Sequence, residues 1–384
     1  MLIRRPPRIA IVAGEASGDW LGAELMYAIR ALAPAAEFCG MAGPAMLAAG
    51  CEPYAHIDQL SVMGLTEVLR SYPRLRRLRA ELVSRLLTVR PDVFVGIDAP
   101  DFNLGIARRL KQNGVVTVHY VCPQAWAWRP RRARDLAMAV DELLALLPFE
   151  PAFFAQYGVP CTFVGHPLAD ALPLTPARSA AKAALGFAAD TTLVALLPGS
   201  RRQELERLLP IFLAGARLLA SARPAVRFVA CVARPAQLAF ARSQLDTRAT
   251  AALDVTLVHG RAREVLTAAD VALVASGTVT LEGLLCRTPM VVGYRLATAT
   301  YHIIRRMVTI PRIALPNILA GEELVPELIQ NALTPAAIRD ALGAWLDQPA
   351  RCQRYAERAA VLHQSLRGAC AARAAQAVLN RCQS

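Results

Sequence analysis

Long apolar runs are missing from this chain of 384 residues. Even the stretch from Leu143 to Phe154 is cut by Pro148, Glu150 and Pro151, well short of the roughly 20 apolar residues a helix needs to cross a bilayer. The expectation is a chain that does not span a membrane. No secretory leader is expected either. After Arg4, Arg5 and Arg8 the apolar segment is only Ile9 to Ala13, whereas a signal peptide wants roughly 7 to 15 apolar residues, so a cytoplasmic location is expected. The nine cysteines stand singly with no C-x-x-C pair, which excludes a zinc ribbon and fits reduced thiols better than a disulfide framework. His56, His119, His166, His259, His302 and His363 are dispersed without i, i+4 pairing, so no helical metal site is indicated. Lysine is almost absent, with Lys111 and Lys182 the only two. Part of the arginine excess then reflects coding bias rather than function.

What is present is a chain too long for one ordinary core, which argues for two domains. A hydrophobic fraction of 55% against 19% charged residues excludes disorder. The formal charge of +13 attracts nucleic acid, an anionic membrane surface or a phosphorylated substrate alike. Charge alone does not choose among them.

Short β-branched runs alternate with longer helical patterns, the signature of parallel sheets built from strand-helix-strand units. The first half reads as strands at Arg8 to Ala13, Glu37 to Met41, Asp92 to Ile97, Val115 to Val121, Glu142 to Leu146 and Thr162 to Val164. The proline-bearing stretch from His166 to Asp190 reads as a crossover. Strands then restart at Thr192 to Leu197, Arg227 to Val232, Val255 to Val258, Val271 to Val274 and Met290 to Gly293. Beyond Pro335 the chain is alanine-rich and strandless. The predicted fold class is α/β, with two Rossmann-like doubly wound domains at 1–166 and 167–333 facing a cleft, and a helical segment at 334–384 packing across domains or subunits. Ligands in such sheets bind beyond the carboxyl ends of the strands.

Chemistry is therefore sought in the turns that follow strands. The first strand runs into Gly14, Glu15, Ala16, Ser17, Gly18 and Asp19. This is a glycine-bearing turn that aims helix N–H groups at a ligand, or equally a tight turn with Ser17 or Asp19 as N-cap. The second half opens with Pro198, Gly199, Ser200 and Arg201 before a helix. A helix N-terminus with a nearby arginine suits a diphosphate and its leaving charge, although a Ser N-cap beside a surface arginine has the same sequence. Ser276, Gly277 and Thr278 repeat the arrangement, and Glu282 one turn later can accept hydrogen bonds from ribose hydroxyls; a capping glutamate is the plainer alternative.

In the first half, Asp98 and Asp101 stand at a strand's carboxyl end, where a carboxylate can take a proton from an attacking hydroxyl. Asp98 is the better candidate, because Asp101 follows Pro100 in an N-cap-like position. Gln124, Trp126 and Trp128 precede Arg129, Arg131, Arg132 and Arg134, a pairing of rings and cations that suits an amphiphilic anion, or simply packs a loop. The stretch Met63 to Arg90 mixes leucines with arginines. It reads as a surface helix with one buried face or as a helix lying on an anionic membrane.

Taken together, Val12 to Asp19, Ser61 to Val68, Gly96 to Asn103, Tyr120 to Trp128, Val164 to Pro167, Pro198 to Arg201, Ser276 to Glu282, Pro289 to Tyr294 and Leu315 to Leu324 resemble the lipid-A-disaccharide synthase family over nearly the whole chain. The resemblance implies an inverting GT-B-type glycosyltransferase with no cofactor or metal and no nucleic-acid partner. Its donor would be UDP-2,3-diacylglucosamine and its acceptor 2,3-diacylglucosamine 1-phosphate. It further implies peripheral contact with the anionic inner membrane and a homodimer with exchanged C-terminal segments. By the same resemblance Asp98 falls on the base, and Arg201, Glu282 and Asn317 on donor-binding positions. Ser200, Gly277 and Thr278 belong with the donor set; Gly14, Glu15, Ser17, Gly18, Gln124 and Trp126 are candidates for the acceptor side. The chain departs from the family pattern at Cys122 and Gln124, where a serine and a small polar residue are expected. Other two-domain nucleotide-sugar enzymes share this architecture, such as a muramyl-lipid N-acetylglucosaminyltransferase or a UDP-N-acetylglucosamine 2-epimerase. A non-catalytic nucleotide- or membrane-binding protein is the third reading.

Overall fold

A computed structural model describes residues 5–60, 65–128, 132–246, 253–308 and 310–382. Ser61 to Gly64 of the resembling segments, the side chains of residues 65–72 in the leucine–arginine stretch, the Trp128 side chain, and Arg129, Arg131 and the Arg132 side chain of the basic cluster lie outside the described residues. The chain forms two compact units. The first is the chain up to Asp170 together with the chain from Leu366 onward, and the second is Ala171–Ser365.

In the first unit the strands β1 (Arg8–Ala13), β2 (Glu37–Ala42), β3 (Glu52–His56), β4 (Val93–Ile97), β5 (Val116–Tyr120), β6 (Glu142–Ala145) and β7 (Cys161–Phe163) form a parallel sheet. Its spatial order is β3-β2-β1-β4-β5-β6-β7. Helices cover both faces, so the inner strands are buried on both sides and mostly apolar rather than alternating, with Thr117 and His119 of β5 and Glu142 of β6 the buried polar residues among them. Ile9, Ile11 and Ala13 pack with Leu25, Met26 and Ile29 of helix Ala16–Leu32 and with Ala374 and Val378 of helix Cys370–Cys382. Ala10, Val12 and Phe94 on the other face meet Leu82, Leu86, Ile106 and Leu110.

The second unit repeats the plan with β8 (Leu193–Leu197), β9 (Arg227–Val232), β10 (Val255–His259), β11 (Val271–Ala275), β12 (Met290–Tyr294) and β13 (Glu327–Ile329). Its order is β10-β9-β8-β11-β12-β13, again parallel. In both sheets the chain winds outward from its first strand and then restarts on that strand's other side. The switch points fall between β1 and β4 and between β8 and β11, and loops there diverge to leave a crevice.

Two strands escaped the sequence reading. β3 contains Pro53 and has no buried residue, while β13 has three half-buried residues. Both are sheet edges with a single neighbour, so neither carries the apolar run that marks an inner strand, and proline is tolerated there.

The tail is not one segment. Helices Pro335–Leu346 and most of Pro349–Leu366 belong to the second unit, where Gly215 of helix Arg202–Ala222 lets Ile338 approach closely. Helix Cys370–Cys382 returns to the first unit. There the Asp170 carboxylate accepts the N–H groups of Gly368 at 3.0 Å, Ala369 at 3.3 Å and Cys370 at 2.6 Å, satisfying donors the helix start leaves open. Arg381 pairs with Glu142 at 2.8 Å near the other end. Among the described residues no helix is long and apolar enough to cross a membrane.

Candidate active site

In the second unit β8 ends in the Pro198-Gly199-Ser200-Arg201 turn. Gly199 has φ +108°, and a Cβ there would sit 2.7 Å from the Glu204 carboxylate, so only glycine fits on both counts. The N-cap of helix Arg202–Ala222 is Arg201, not Ser200, which lies exposed one residue earlier. Glu204 folds back to accept the Arg201 N–H at 3.3 Å, and its other oxygen pairs with the Arg201 guanidinium at 3.1 Å. That side chain is 81% exposed. An exposed ion pair of this kind contributes little, so the guanidinium exchanges Glu204 for a phosphate at small cost. The turn is braced by Gln237, which the sequence reading missed. It donates to the Ser200 carbonyl at 2.8 Å while accepting the N–H groups of Ala233 and Arg234, each at 3.1 Å.

β11 lies beside β8 with Val274 opposite Leu197, so its following turn leaves the same sheet edge. Gly277, at φ +147° with nothing within 4 Å of a would-be Cβ, is the N-cap of helix Thr278–Leu285, and no side chain caps that helix. Gly277 and Thr278 are exposed. Open N–H groups at a helix start next to an accessible backbone form an anion-binding surface. Glu282 sits one turn in, 16% exposed, with one oxygen 3.0 Å from Arg263 Nε. It is too deep in the helix to be a cap, which leaves the ribose-binding role open to it.

Asn317 requires a correction. It is fully buried. Its Nδ2 donates to the Val325 carbonyl and to Glu327, each at 2.8 Å, and its Oδ1 accepts from Leu324 at 2.8 Å and Val325 at 2.9 Å. The amide's hydrogen-bonding capacity is spent inside the chain, so the side chain positions rather than touches a donor. What it positions is relevant. Helix Leu315–Ala320 is tied to the β11 turn by the Leu315 N–H to Thr280 Oγ1 bond at 3.2 Å and by Ser276 Oγ to the Ile313 carbonyl at 3.4 Å.

In the first unit Ala13 of β1 pairs with Ile97 of β4, which brings the glycine turn and Asp98 together at the switch point. Gly14 leaves no room for a side chain, since a Cβ would lie 2.5 Å from that of Ala99. Gly18 packs on Ile97, and Glu15 and Ser17 are exposed. The cap reading of this turn is corrected by the structure. Glu15 is the N-cap of helix Ala16–Leu32 and makes no side-chain cap bond. Asp19 is buried and caps a different helix, accepting from Gly43 and Ala45 at 2.8 Å and Met46 at 3.1 Å.

Asp98 and Ala99 both adopt left-handed backbone conformations, φ +49° and +42°, a strain of about 1–3 kcal/mol each that persists only where surroundings over-determine it. Ala99, not Asp101, is the N-cap of helix Pro100–Lys111, and the Asp98 side chain is exposed. Gln124, beyond β5, is also exposed. Trp126 is buried instead. Its indole donates to Glu150 at 3.2 Å and stacks edge-on against Phe149, so its ring belongs to the core and does not present a face to an acceptor. Burial pushes the Glu150 carboxyl up to about 7.

Two parallel, doubly wound units give the chain a fold of the GT-B class. Solved structures of this fold include a UDP-GlcNAc 2-epimerase from Neisseria meningitidis bound to UDP-GlcNAc (TM-score 0.62, 14% identity, 97% of this chain and 98% of that one). The kitacinnamycin glycosyltransferase is also similar (TM-score 0.61, 18% identity, 98% and 100%). Sequence narrows the class: residues 9–380 match the lipid-A-disaccharide synthetase family, and the chain belongs to it. A lipid-A-disaccharide synthase of Pseudomonas aeruginosa is 49% identical over 372 residues, covering 97% of each chain. The protein is a glycosyltransferase of lipid A biosynthesis.

Proposed function

We propose that the enzyme transfers 2,3-diacylglucosamine from UDP to the primary hydroxyl of 2,3-diacylglucosamine 1-phosphate. The products are the β-1,6-linked disaccharide 1-phosphate and UDP. The observation that carries the donor half is the pair of helix starts on adjacent strands β8 and β11, one with Gly199 and exposed Arg201, the other with open Gly277 and Thr278. A diphosphate set against them meets backbone N–H groups, two helix dipoles and a guanidinium, which together offset the charge that grows on UDP as the glycosidic bond breaks. This is the reason we assign the reaction no metal. Ser200 and Glu282 complete the donor set, Glu282 through the ribose hydroxyls.

Asp98 takes the proton of the acceptor hydroxyl as its oxygen forms the new bond to the anomeric carbon. The C–O bond to UDP breaks on the opposite side, so one displacement inverts the centre. Gly14 lies against Ala99 and Gly18 against Ile97, on either side of Asp98 in the chain; with Glu15, Ser17 and Gln124 they are assigned to the acceptor.

Both substrates are lipids, and the charge of +13 favours peripheral binding to an anionic leaflet at the cytoplasmic face of the inner membrane. We assign the active form as a homodimer exchanging helix Cys370–Cys382, because that helix lies where the chain returns from the second unit to the first. Sedimentation velocity at varied protein concentration tests this.

The deciding experiment is turnover in detergent micelles with both lipid substrates and a chelator. Disaccharide and UDP in equal amounts support the proposal. UDP without disaccharide favours an epimerase-like reaction, and loss of turnover on chelation removes the metal-free mechanism.

A further inference from the structure

The sequence assigns no task to Asn103, yet the structure surrounds it with the base. Asn103 is fully buried. The two hydrogens on its Nδ2 are shared among the carbonyls of Asp98 at 2.8 Å, Ile97 at 3.1 Å and Val12 at 3.3 Å. These carbonyls stand where the ladder between β1 and β4 runs out, at the pair Ala13–Ile97. One side-chain amide thus joins the two switch-point strands and grips the peptide that follows Asp98.

That grip falls on the left-handed residues. Asp98 and Ala99 stay at positive φ although neither is glycine, and such a conformation holds only against opposing restraints. The Asp98 N–H is fixed to the Tyr120 carbonyl at 2.9 Å, and the Ala99 carbonyl accepts from Phe102 and Asn103, each at 3.0 Å. The Asp98 carbonyl is held by Asn103. Only a primary amide or a cation of this reach offers donors to several carbonyls at once. Aspartate would face them with lone pairs. Gly96 completes the fit, since a side chain there would press on Asn103 Cβ at 3.0 Å.

We propose that Asn103 is a positioning residue that holds the Asp98 carboxylate in the orientation from which it deprotonates the acceptor. The proposal rests on the reading of Asp98 as the base. It makes Asn103 matter for turnover through Asp98 and through nothing else.

A double-mutant cycle with D98N and N103A tests it, reading kcat, KM for the donor, UDP affinity by calorimetry and the thermal midpoint. Misplacing a catalytic group by about 1 Å costs about 10²-fold, so N103A is expected to lose kcat on that scale with donor KM and UDP affinity unchanged. In the D98N background N103A is expected to change kcat by less than about twofold. An equal loss in both backgrounds, or a full kcat in N103A, overturns the proposal while leaving Asp98 as the base. Wild-type turnover in D98N removes the base reading and this one with it. If N103A unfolds below the assay temperature, Asn103→Ser retains one donor and serves in its place, with an intermediate kcat expected.

Discussion

The two units share a winding order, and their switch points are built differently. In the first, buried side chains bond the backbone around the switch point: Asp19, in the helix after β1, accepts three N–H groups of the turn after β2, and Asn103 donates to carbonyls at the ends of β1 and β4. In the second, the loops after β8 and β11 turn at Gly199 and Gly277 at positive φ; Gln237 braces the first, open space surrounds Gly277, and Arg201 reaches into solvent. A rigid loop suits a carboxylate that must meet one hydroxyl, and an open helix start suits an anion bound largely by backbone. Topology supplies the place, and the residues at the end of each strand decide its chemistry.

That division of labour can be broken one unit at a time. The largest effect is expected from Asp98→Asn, a loss of about 10² to 10⁴-fold in kcat with UDP affinity intact by calorimetry; weakened UDP binding would show that the first unit also holds the donor. Arg201→Ala should do the reverse in binding. Losing a charge-assisted hydrogen bond of about 1.5–3 kcal/mol weakens UDP roughly 10 to 100-fold, whereas unchanged affinity would remove Arg201 from the donor set.

Acid should separate the units as well. Burial pulls His119 and His166 down to about 4, and both lie in the first unit. A depressed histidine contributes stability that is full above its unfolded pKa near 6.5 and is lost as pH falls toward and through 4. Glu150, pushed up to about 7, has the opposite sign: its stabilisation is full below its unfolded value near 4.5 and is lost as pH rises through 7. Between about 6.5 and 4.5 two histidines oppose one glutamate, so the first unit should lose hydrogen-exchange protection before the second on acidification. Glu150→Gln should steepen that loss. Equal loss in both units would show that these groups do not govern acid stability.

The smallest effect concerns the two lysines. Lys111 Nζ lies 2.6 Å from the Val140 carbonyl, 3.3 Å from that of Ala137 and 3.0 Å from Asp141. Lys182 repeats the arrangement in the other unit with Thr191 at 2.6 Å, Ala189 at 3.4 Å and Asp270 at 2.9 Å. A compact ammonium fits such a cage of carbonyls and a planar guanidinium does not. In a chain where arginine has taken nearly every other cationic position, these two were kept for their shape. Lys182→Arg, the more buried case at 4% exposure, should lower stability by about 1–3 kcal/mol in thermal unfolding, and Lys111→Arg by less. No change in either would return the scarcity of lysine to coding bias alone.

Much of this was legible in the sequence. Inner strands of a parallel sheet are apolar on both faces, so β1, β4, β8 and β11 announce themselves, and the glycines and carboxylates that follow them mark the switch points. Local chemistry also singled out Asp98, Arg201 and Gly277, which the structure leaves exposed beyond the ends of β4, β8 and β11. What the sequence left open depends on partners far along the chain. The resemblance puts Asn317 on a donor position, and Val325 and Glu327 are found to consume its amide; for Trp126 the sequence left ligand contact and loop packing both open, and Glu150 and Phe149 bury it. The last helix reads as part of one tail until Asp170, 200 residues earlier, caps it into the first unit. Pattern and turn chemistry act over a few residues and are written in order along the chain. Burial and hydrogen-bond satisfaction are settled between segments that meet only on folding, and for those the tertiary structure alone decides.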